Sequence, residues 1–398
     1  MPAGHQFGYG SLPKASWEQM PLMLPGVRNC VVNLMDTKPG ERFLIIAEKT
    51  VDPVVVATFE MVAQSVGAEV DIIRTRPFSP AGIDPDNPSD MVVAAYSAAD
   101  GVVIMSWFPD IHSKKLPANA SKIYNNKPVS MYQLATFEVL SSPAAVFPLD
   151  LMYEIMRKMR LETANRQIRI TSPSGTDLVV KAPGLDHLFG GIGVGQNEIG
   201  PLQRGVRAHF PPSTCGFVPI EADGIFVPDA TVITGETLHP VKFTVEGGYV
   251  TNIEGEAEAD ALRNFINGPQ QDPSPKRLVE CMWGLNPKAR LTGANATFVE
   301  KERHAGVLHL GVATYRAVLG PTEQRDVDLY RKEDSASIWV THVDTYIQTP
   351  TMWFDGERMV DERKLLLLED PGIRAFAKQI GDPDQLLNPF EPMDFITC

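Results

Sequence analysis

Residues 278–293 read LVECMWGLNPKARLTG, residues 300–311 read EKERHAGVLHLG and residues 338–350 read IWVTHVDTYIQTP. These segments set histidines and carboxylic acids among apolar residues, namely Glu280, Glu300, Glu302, His304, His309, His342 and Asp344. Imidazole and carboxylate groups are common ligands of divalent transition metals. The three segments therefore predict a metal site in the second half of the chain.

The spacing of His342 and Asp344 indicates that these two residues act together. Both lie in THVDTYI, whose β-branched and aromatic residues predict a strand. Side chains two residues apart on a strand share one face, so an imidazole and a carboxylate would converge from one element. Taken alone, such a pair is more often a polar pair at a sheet edge, and the neighbouring segments are needed to favour a metal.

The other two segments supply those neighbours. Glu302 and His309 lie seven residues apart around Gly306, which predicts an acid at the end of one element and a ligand at the start of the next. Glu280 precedes the apolar residues 281–283, where a carboxylate must be paired, protonated or bound to a cation. By itself Glu302 is typical of a solvated helix charge, and His309 of a core histidine bonded to a carbonyl. The conjunction favours the metal site.

Composition limits the classes of protein that fit. The chain has 398 residues, so two domains are expected, and its net charge of −13 argues against nucleic-acid and anionic-membrane partners. No signal peptide and no membrane-spanning apolar run are predicted.

Four scattered cysteines fit reduced thiols in a cytoplasm. Cys281 is interpreted as a buried structural thiol, and Cys215 as a side chain that could line the pocket.

The first half alternates strands and helices. Strands are predicted at 43–48, within 69–77, within 100–108 and at 127–132, and helices within 52–68, 89–99 and 151–166. Short links between strand, helix and strand imply right-handed crossovers and a parallel sheet. The sequence thus predicts an α/β N-terminal domain with a parallel, Rossmann-like sheet. The glycine-rich residues 190–200 lack a dinucleotide fingerprint and are interpreted as a flexible loop near an active site or interface.

The second half has a different pattern of predicted elements. A hairpin is predicted at 166–183 with its turn at 172–175, and from about 205 short strands are separated by Gly and Pro. One helix is predicted at 256–267, and residues 365–380 form a helical patch. We expect an α+β C-terminal metal-binding domain with a mostly antiparallel sheet. The predicted domains are 1–185 and 186–398, with the boundary between 165 and 200.

Several motifs resemble a known family. GEAEADALRNFI (255–266), ECMWGLNPKARLTG (280–293), EKERHAGVLHLG (300–311) and THVDTYIQTPTMWFDGERM (341–359) are similar to the leucyl aminopeptidases of the aminopeptidase T type, which are metallopeptidases. They are also similar to the homologous 2,5-dihydroxypyridine 5,6-dioxygenases, which open a ring with iron(II). The resemblance implies an α/β domain, a metal-binding domain and a homodimer.

Carried over position by position, the resemblance implies metal ligands at Glu280, His309, His342 and Asp344. It implies a general base at Glu302 and a catalytic tyrosine at Tyr315. The peptidases carry a further metal-binding glutamate where this chain has Cys215-Gly216. The dioxygenases lack that glutamate too, but they have a histidine at the position of Glu280 and lack the equivalent of His309. The resemblance therefore leaves both activities and one ion or two open.

The preferred function is a metal-dependent, aminopeptidase-like hydrolase of an amide or peptide bond, with metal-activated water and Glu302 as base. The alternative is a mononuclear non-haem iron(II) dioxygenase that cleaves a hydroxypyridine-like ring. Mixed imidazole and carboxylate ligands suit zinc, manganese, cobalt or iron(II). The expected partner is a small molecule or short peptide, with no nucleic acid and no membrane.

Overall fold

The computed structural model describes residues 14–76, 89–106, 129–133, 135–185, 188–190, 193–194, 207–231, 235–236, 239–267, 275–291, 298–313 and 343–389. The strands are β1 Arg42–Glu48, β2 Glu69–Thr75, β3 Gly101–Ser106, β4 Val129–Gln133, β5 Gln167–Thr171, β6 Asp177–Lys181, β7 Phe189–Gly190, β8 Gly193–Val194, β9 Arg207–His209, β10 Thr214–Phe217, β11 Glu221–Phe226, β12 Ala230–Thr231, β13 Gly235–Glu236, β14 Lys242–Glu246, β15 Tyr249–Glu254, β16 Arg277–Gly284, β17 Leu308–Ala313, β18 Val343–Ile347, β19 Thr351–Phe354, β20 Glu357–Asp361 and β21 Lys364–Leu365. The α-helices are α1 Met20–Arg28, α2 Pro53–Ser65, α3 Asp90–Ala98, α4 Phe137–Leu140, α5 Leu149–Thr163, α6 Ala257–Ile266, α7 Phe298–Arg303, α8 Pro371–Ile380 and α9 Pro383–Leu387.

The first half forms a parallel sheet covered by helices. Its strand order is β2-β1-β3-β4-β9, and every neighbouring pair is parallel. Alternate residues of β1 face opposite sides: Phe43 and Ile45 join the main core, whereas Leu44 and Ile46 pack with α3. The helix α2 is capped at its N-terminus by Asp52, whose side chain accepts from the Val54 N–H. These features confirm the parallel sheet, whereas the Rossmann-like assignment stays a prediction.

The second sheet is large and antiparallel. Thirteen of its sixteen strands follow the order β13-β12-β18-β17-β16-β15-β14-β11-β6-β5-β19-β20-β21, and β10 attaches to β16. Its hairpins occur where the sequence places turn residues: Gly175 lies at φ +107° between β5 and β6, and Gly247 and Gly248 have positive φ between β14 and β15. The antiparallel sheet with attached helices confirms the coarse prediction for this half of the chain.

The two sheets interleave along the chain. The early strands β5 and β6 belong to the antiparallel sheet, and the later β9 joins the parallel one. One continuous apolar core includes residues of both sheets. The division into domains 1–185 and 186–398 stays a prediction.

Two local expectations are refined. The helical patch at 365–380 is a 3-10 helix, Leu366–Glu369, followed by α8, because Pro371 disfavours helical backbone at Asp370. Within the glycine-rich stretch 190–200, residues 193–194 form β8 and pair with β7. Among the described residues, no helix is long and apolar enough to cross a membrane.

Candidate metal centre

The candidate centre lies on three adjacent strands, β16, β17 and β18. Glu280 on β16 lies opposite Gly311 on β17, and Gly311 lies opposite Asp344 on β18. Opposed residues of antiparallel strands share a face, so the two carboxylates flank a glycine that has no side chain between them. One position along β17, His309 lies on the same face.

A β-bulge brings Glu280 to that face. Leu278 pairs with Val312 and Glu280 pairs with Gly311, which leaves Val279 as an extra residue on β16. In a regular strand, residues 278 and 280 would share a face. The extra residue shifts the alternation, so Glu280 turns toward Asp344 while Leu278 stays in the core.

The donor atoms of the three side chains converge. The Nε2 atom of His309 lies 2.9 Å from Asp344 Oδ1 and 3.7 Å from Glu280 Oε2. One possible ligand atom from each residue lies within 4.8 Å of the other two. The side chain of His309 is 3% exposed, whereas those of Glu280 and Asp344 are 12% and 16% exposed. The cluster is therefore recessed, and its two carboxylates are still partly exposed.

Glu302 completes the surroundings of His309. It lies at the end of α7, is only 6% exposed, and places Oε1 4.0 Å from the Nδ1 atom of His309. The interpretation of Glu302 as a solvated helix charge is wrong, because the helix end is packed against the sheet. Both nitrogens of the His309 ring therefore face carboxylates.

The turn after β16 holds α7 in place. A Cβ at Gly284 would lie 2.3 Å from the His304 carbonyl oxygen and 2.5 Å from the Arg303 carbonyl carbon, so only glycine permits this approach. His304 itself donates its Nδ1–H to the Ala289 carbonyl at 2.7 Å. Because that ring is buried and engaged with the backbone, His304 has a structural role rather than contact with substrate.

A buried ion pair reinforces the same contact. Glu300 is fully buried, and the Arg290 guanidinium donates to both its carboxylate oxygens, at 2.8 Å from Nε and 2.5 Å from an Nη atom. A bidentate pair of this kind fixes orientation as well as charge. At the other end of the loop, a Cβ at Gly306 would collide with the Arg363 backbone. These contacts place Glu302 relative to His309.

Charge and burial oppose each other at this centre. Burial lowers the pKa of His309, but the charges of Asp344 and Glu280 outweigh it and raise that pKa to about 9. Burial raises the pKa of Glu302. Burial and the neighbouring acids also raise the pKa of Tyr346, so its phenol stays protonated. The acids thus favour a positive charge at His309, which is the electrostatic condition for binding a cation.

The donor set fits a divalent ion without a thiolate. Two carboxylates and one imidazole are borderline-to-hard ligands that suit iron(II), manganese, cobalt or zinc.

Cys281 is fully buried, and burial raises its pKa, which confirms a structural thiol. Cys215 pairs with Trp283 on the opposite face of β16 and is also fully buried. The expectation that Cys215 lines the pocket is therefore wrong.

The predicted residues divide into two groups. The structure brings together Glu280, His309, Asp344 and Glu302. The predicted ligand His342 and the predicted catalytic Tyr315 lie outside the described residues. Sequence reasoning missed Tyr346, whose ring contacts His309; its position two residues after Asp344 on a strand could have indicated the shared face.

Fold and centre together are typical of a metal-dependent enzyme. A family model described as NicX, 2,5-dihydroxypyridine 5,6-dioxygenase, matches residues 23–366. Because the match spans most of the chain, this protein belongs to that family. The suspected family, which included the dioxygenase homologue, is thereby confirmed.

Two solved structures are similar to this chain over most of both lengths. The 2,5-dihydroxypyridine dioxygenase from Pseudomonas putida KT2440 is 18% identical, with a TM-score of 0.65, and the alignment covers 88% of this chain and 98% of that chain. Wild-type AmpT from Thermus thermophilus is 14% identical, with a TM-score of 0.58 and coverage of 88% and 99%. At these identities the likeness supports the fold alone. No curated protein sequence matches significantly.

Proposed function

We propose that this protein is a mononuclear metal-dependent dioxygenase that opens an electron-rich hydroxylated aromatic ring. A dihydroxypyridine is the first substrate to test, because the matching family is described by that activity. The observation that carries the proposal is the convergence of Glu280, His309 and Asp344, whose two carboxylates are partly exposed. Within the described part of the chain, this is the one group with metal-ligand spacing, which favours a single ion.

The ion would be held by Glu280, by His309 through Nε2 and by Asp344. His342 is proposed as a further ligand on sequence grounds, which would give two imidazoles beside the carboxylates. Iron(II) in a mixed imidazole and carboxylate set keeps open coordination positions, which is the chemistry used by non-haem oxygenases. The second ion implied by the peptidases is not part of this proposal, since Cys215 stands at the position of their additional glutamate and faces away.

Glu302 is proposed to act as a general base that accepts a proton from the substrate. Burial raises the pKa of Glu302, so its carboxylate is a stronger proton acceptor than that of an ordinary glutamate. A substrate hydroxyl within hydrogen-bond reach of Glu302 could pass its proton to Oε1. The buried wall on this side limits access of bulk water. Tyr315 stays a proposed catalytic residue on sequence grounds alone.

An aminopeptidase-like hydrolase is the second candidate. The feature that favours it is the buried Glu302 beside the cluster, which would serve equally as base for a hydrolytic water. The sequence favoured this activity first, but the family match supports ring cleavage better. The small-molecule substrate is part of both proposals. The homodimer, the cytoplasmic location and the lack of nucleic-acid or membrane partners stay predictions.

Oxygen consumption separates the two candidates. Protein loaded anaerobically with iron(II) is mixed with 2,5-dihydroxypyridine in an oxygen electrode while the ring absorbance is followed. We expect equimolar loss of dioxygen and substrate, since a dioxygenase places both oxygen atoms in its product. Asp344→Asn should lower the rate by about 100-fold or more. Anaerobic hydrolysis of an amino-acid amide, with no oxygen uptake from any dihydroxypyridine, would instead assign the protein to the hydrolases.

A further inference from the structure

The aromatic ring of Tyr346 packs against the imidazole ring of His309. Their ring centroids are 5.1 Å apart and the planes are tilted by 42°. The contact follows from register, because Tyr346 on β18 is the direct cross-strand partner of His309 on β17. Tyr346 is 3% exposed, so its ring has little freedom to leave the imidazole.

We propose that Tyr346 is a positioning residue of the metal centre, which sets the plane of the His309 imidazole through ring packing. This inference rests on the proposed function. An imidazole donates its lone pair in the ring plane, so a metal-binding histidine must be held against rotation about its Cβ–Cγ bond. Residues outside the ligand set commonly supply that restraint.

Among the described residues, the acids near His309 lie at the edges of its ring. Asp344 and Glu280 approach the Nε2 edge, and Glu302 approaches the Nδ1 edge. Charged groups at the edges can follow the imidazole as it turns, whereas a second aromatic ring packed against it restricts that rotation. The cross-strand neighbour on the other side is Met282, whose unbranched side chain adapts readily to different shapes. Of the two cross-strand neighbours of His309, Tyr346 is therefore the rigid one.

The backbone around Tyr346 keeps its ring in place. The Tyr346 carbonyl accepts from the Asp229 N–H at 2.8 Å, and the residue opposite on β12 is Ala230. A small residue there leaves the space on that side to the tyrosine ring. Tyr346 is thus fixed between β17, which carries the histidine, and β12.

The test uses cobalt(II) as the probe, because its visible absorption reports ligand geometry as well as binding. Two variants separate the ring from the hydroxyl group: Tyr346→Phe keeps the ring, and Tyr346→Leu removes it. We expect Tyr346→Leu to raise the Kd for cobalt(II) by about 10- to 100-fold and to alter the visible bands. Tyr346→Phe should restore the wild-type spectrum, with a Kd within about twofold of wild type.

Phe226→Leu is the matched control for loss of a buried ring. Phe226 lies in the same sheet, stacks on Phe243 at 4.4 Å and is fully buried, but it is not part of the centre. This variant should lose stability while it keeps the wild-type cobalt(II) Kd within about twofold.

Three outcomes would overturn the inference. A wild-type Kd and spectrum in Tyr346→Leu would show that the ring does not position His309. Equal impairment of Tyr346→Phe and Tyr346→Leu would assign the role to the hydroxyl group. Failure of the wild-type protein itself to bind cobalt(II) would reject the proposed metal function, and this inference with it.

Discussion

His309 is the residue on which the chemistry of the centre depends. Its Nε2 atom faces Asp344 and Glu280, while its Nδ1 atom faces Glu302. With a pKa of about 9, the ring is protonated at neutral pH in the absence of a metal. A bound divalent ion would take the place of that proton, since ligand imidazoles must be deprotonated. Either a proton on His309 or a bound metal ion can therefore compensate the negative charge of the surrounding carboxylates.

Replacing Glu302 separates proton transfer from metal binding. Glu302→Gln keeps the shape of the side chain but removes its ability to accept a proton. We expect turnover to fall by about 10²- to 10⁴-fold, while bound iron stays at the wild-type level. Stopped-flow absorbance and metal analysis of the same preparation provide the two readouts. Normal turnover in this variant would eliminate Glu302 as the base.

Gly284 is predicted to be essential for stability. The added methyl group of Gly284→Ala would meet the backbone of residues 303 and 304, which cannot move without displacing α7. We expect a loss of about 1–3 kcal/mol in the free energy of unfolding, measured by denaturant titration. Gly101→Ala is the control, since its Cβ would make ordinary contacts no closer than 3.4 Å. Equal stability of the two variants would contradict the proposed packing of α7.

At the scale of elements, the sequence predicts most strands and helices but not how β16 is bent. Alternation and turn residues locate β5, β6, β14 and β15 because those hairpins depend on local chemistry. The bulge at Val279 leaves no such signal, since it arises from pairing with β17. The burial of Glu302 is likewise set by tertiary contacts, including the Arg290–Glu300 pair, and a helix pattern cannot show it.

The N-terminus of α8, which is capped by Asp370, can be tested by mutation. Asp370 accepts from the Gly372 and Ile373 N–H groups at 2.8 and 3.1 Å and forms an ion pair with Lys158 on α5. Asp370→Ala should lower stability by about 0.5–2 kcal/mol through loss of the cap. Asp370→Asn should lower it less, because asparagine caps equally well and only the ion pair is lost.

The acid dependence of these variants has a definite sign. The hydrogen bond from Lys158 lowers the pKa of Asp370 in the folded protein. The stability contributed by its charge is therefore present above the unfolded pKa of about 3.9 and is lost as the pH falls through the folded value. Thermal unfolding at a series of pH values should show wild type and Asp370→Asn converging below about pH 4. A constant difference across that range would contradict the ion pair.

At the scale of the whole molecule, the metal centre joins elements that are distant in the chain. It links β16, β17 and β18 to the end of α7, so a bound ion should stabilise the fold as well as support catalysis. At a concentration 100 times its Kd, an ion that binds only the folded state adds about 2.7 kcal/mol. We expect the melting temperature to rise with added manganese(II) and to return on chelation. An unchanged melting temperature would argue against a preformed site.

The architecture was more predictable than the function. Regular hydrophobic periods identify the parallel sheet in the first half and the antiparallel sheet in the second, because those patterns follow directly from burial. The choice between water and dioxygen as the attacking molecule depends on a few side chains around one ion. Glu280, His309 and Asp344 suit both activities, and the sequence favoured the hydrolase first because the extra carboxylate makes the ligand set harder.

Anaerobic iron(II) titration tests the central claim most directly. We expect one tightly bound ion per wild-type chain, and a Kd raised by about 10- to 100-fold in both Glu280→Gln and Asp344→Asn. Glu369→Gln, which changes an exposed acid paired with Lys364, should bind iron like wild type. Wild-type stoichiometry and affinity in both centre variants would contradict the claim that these side chains hold the ion.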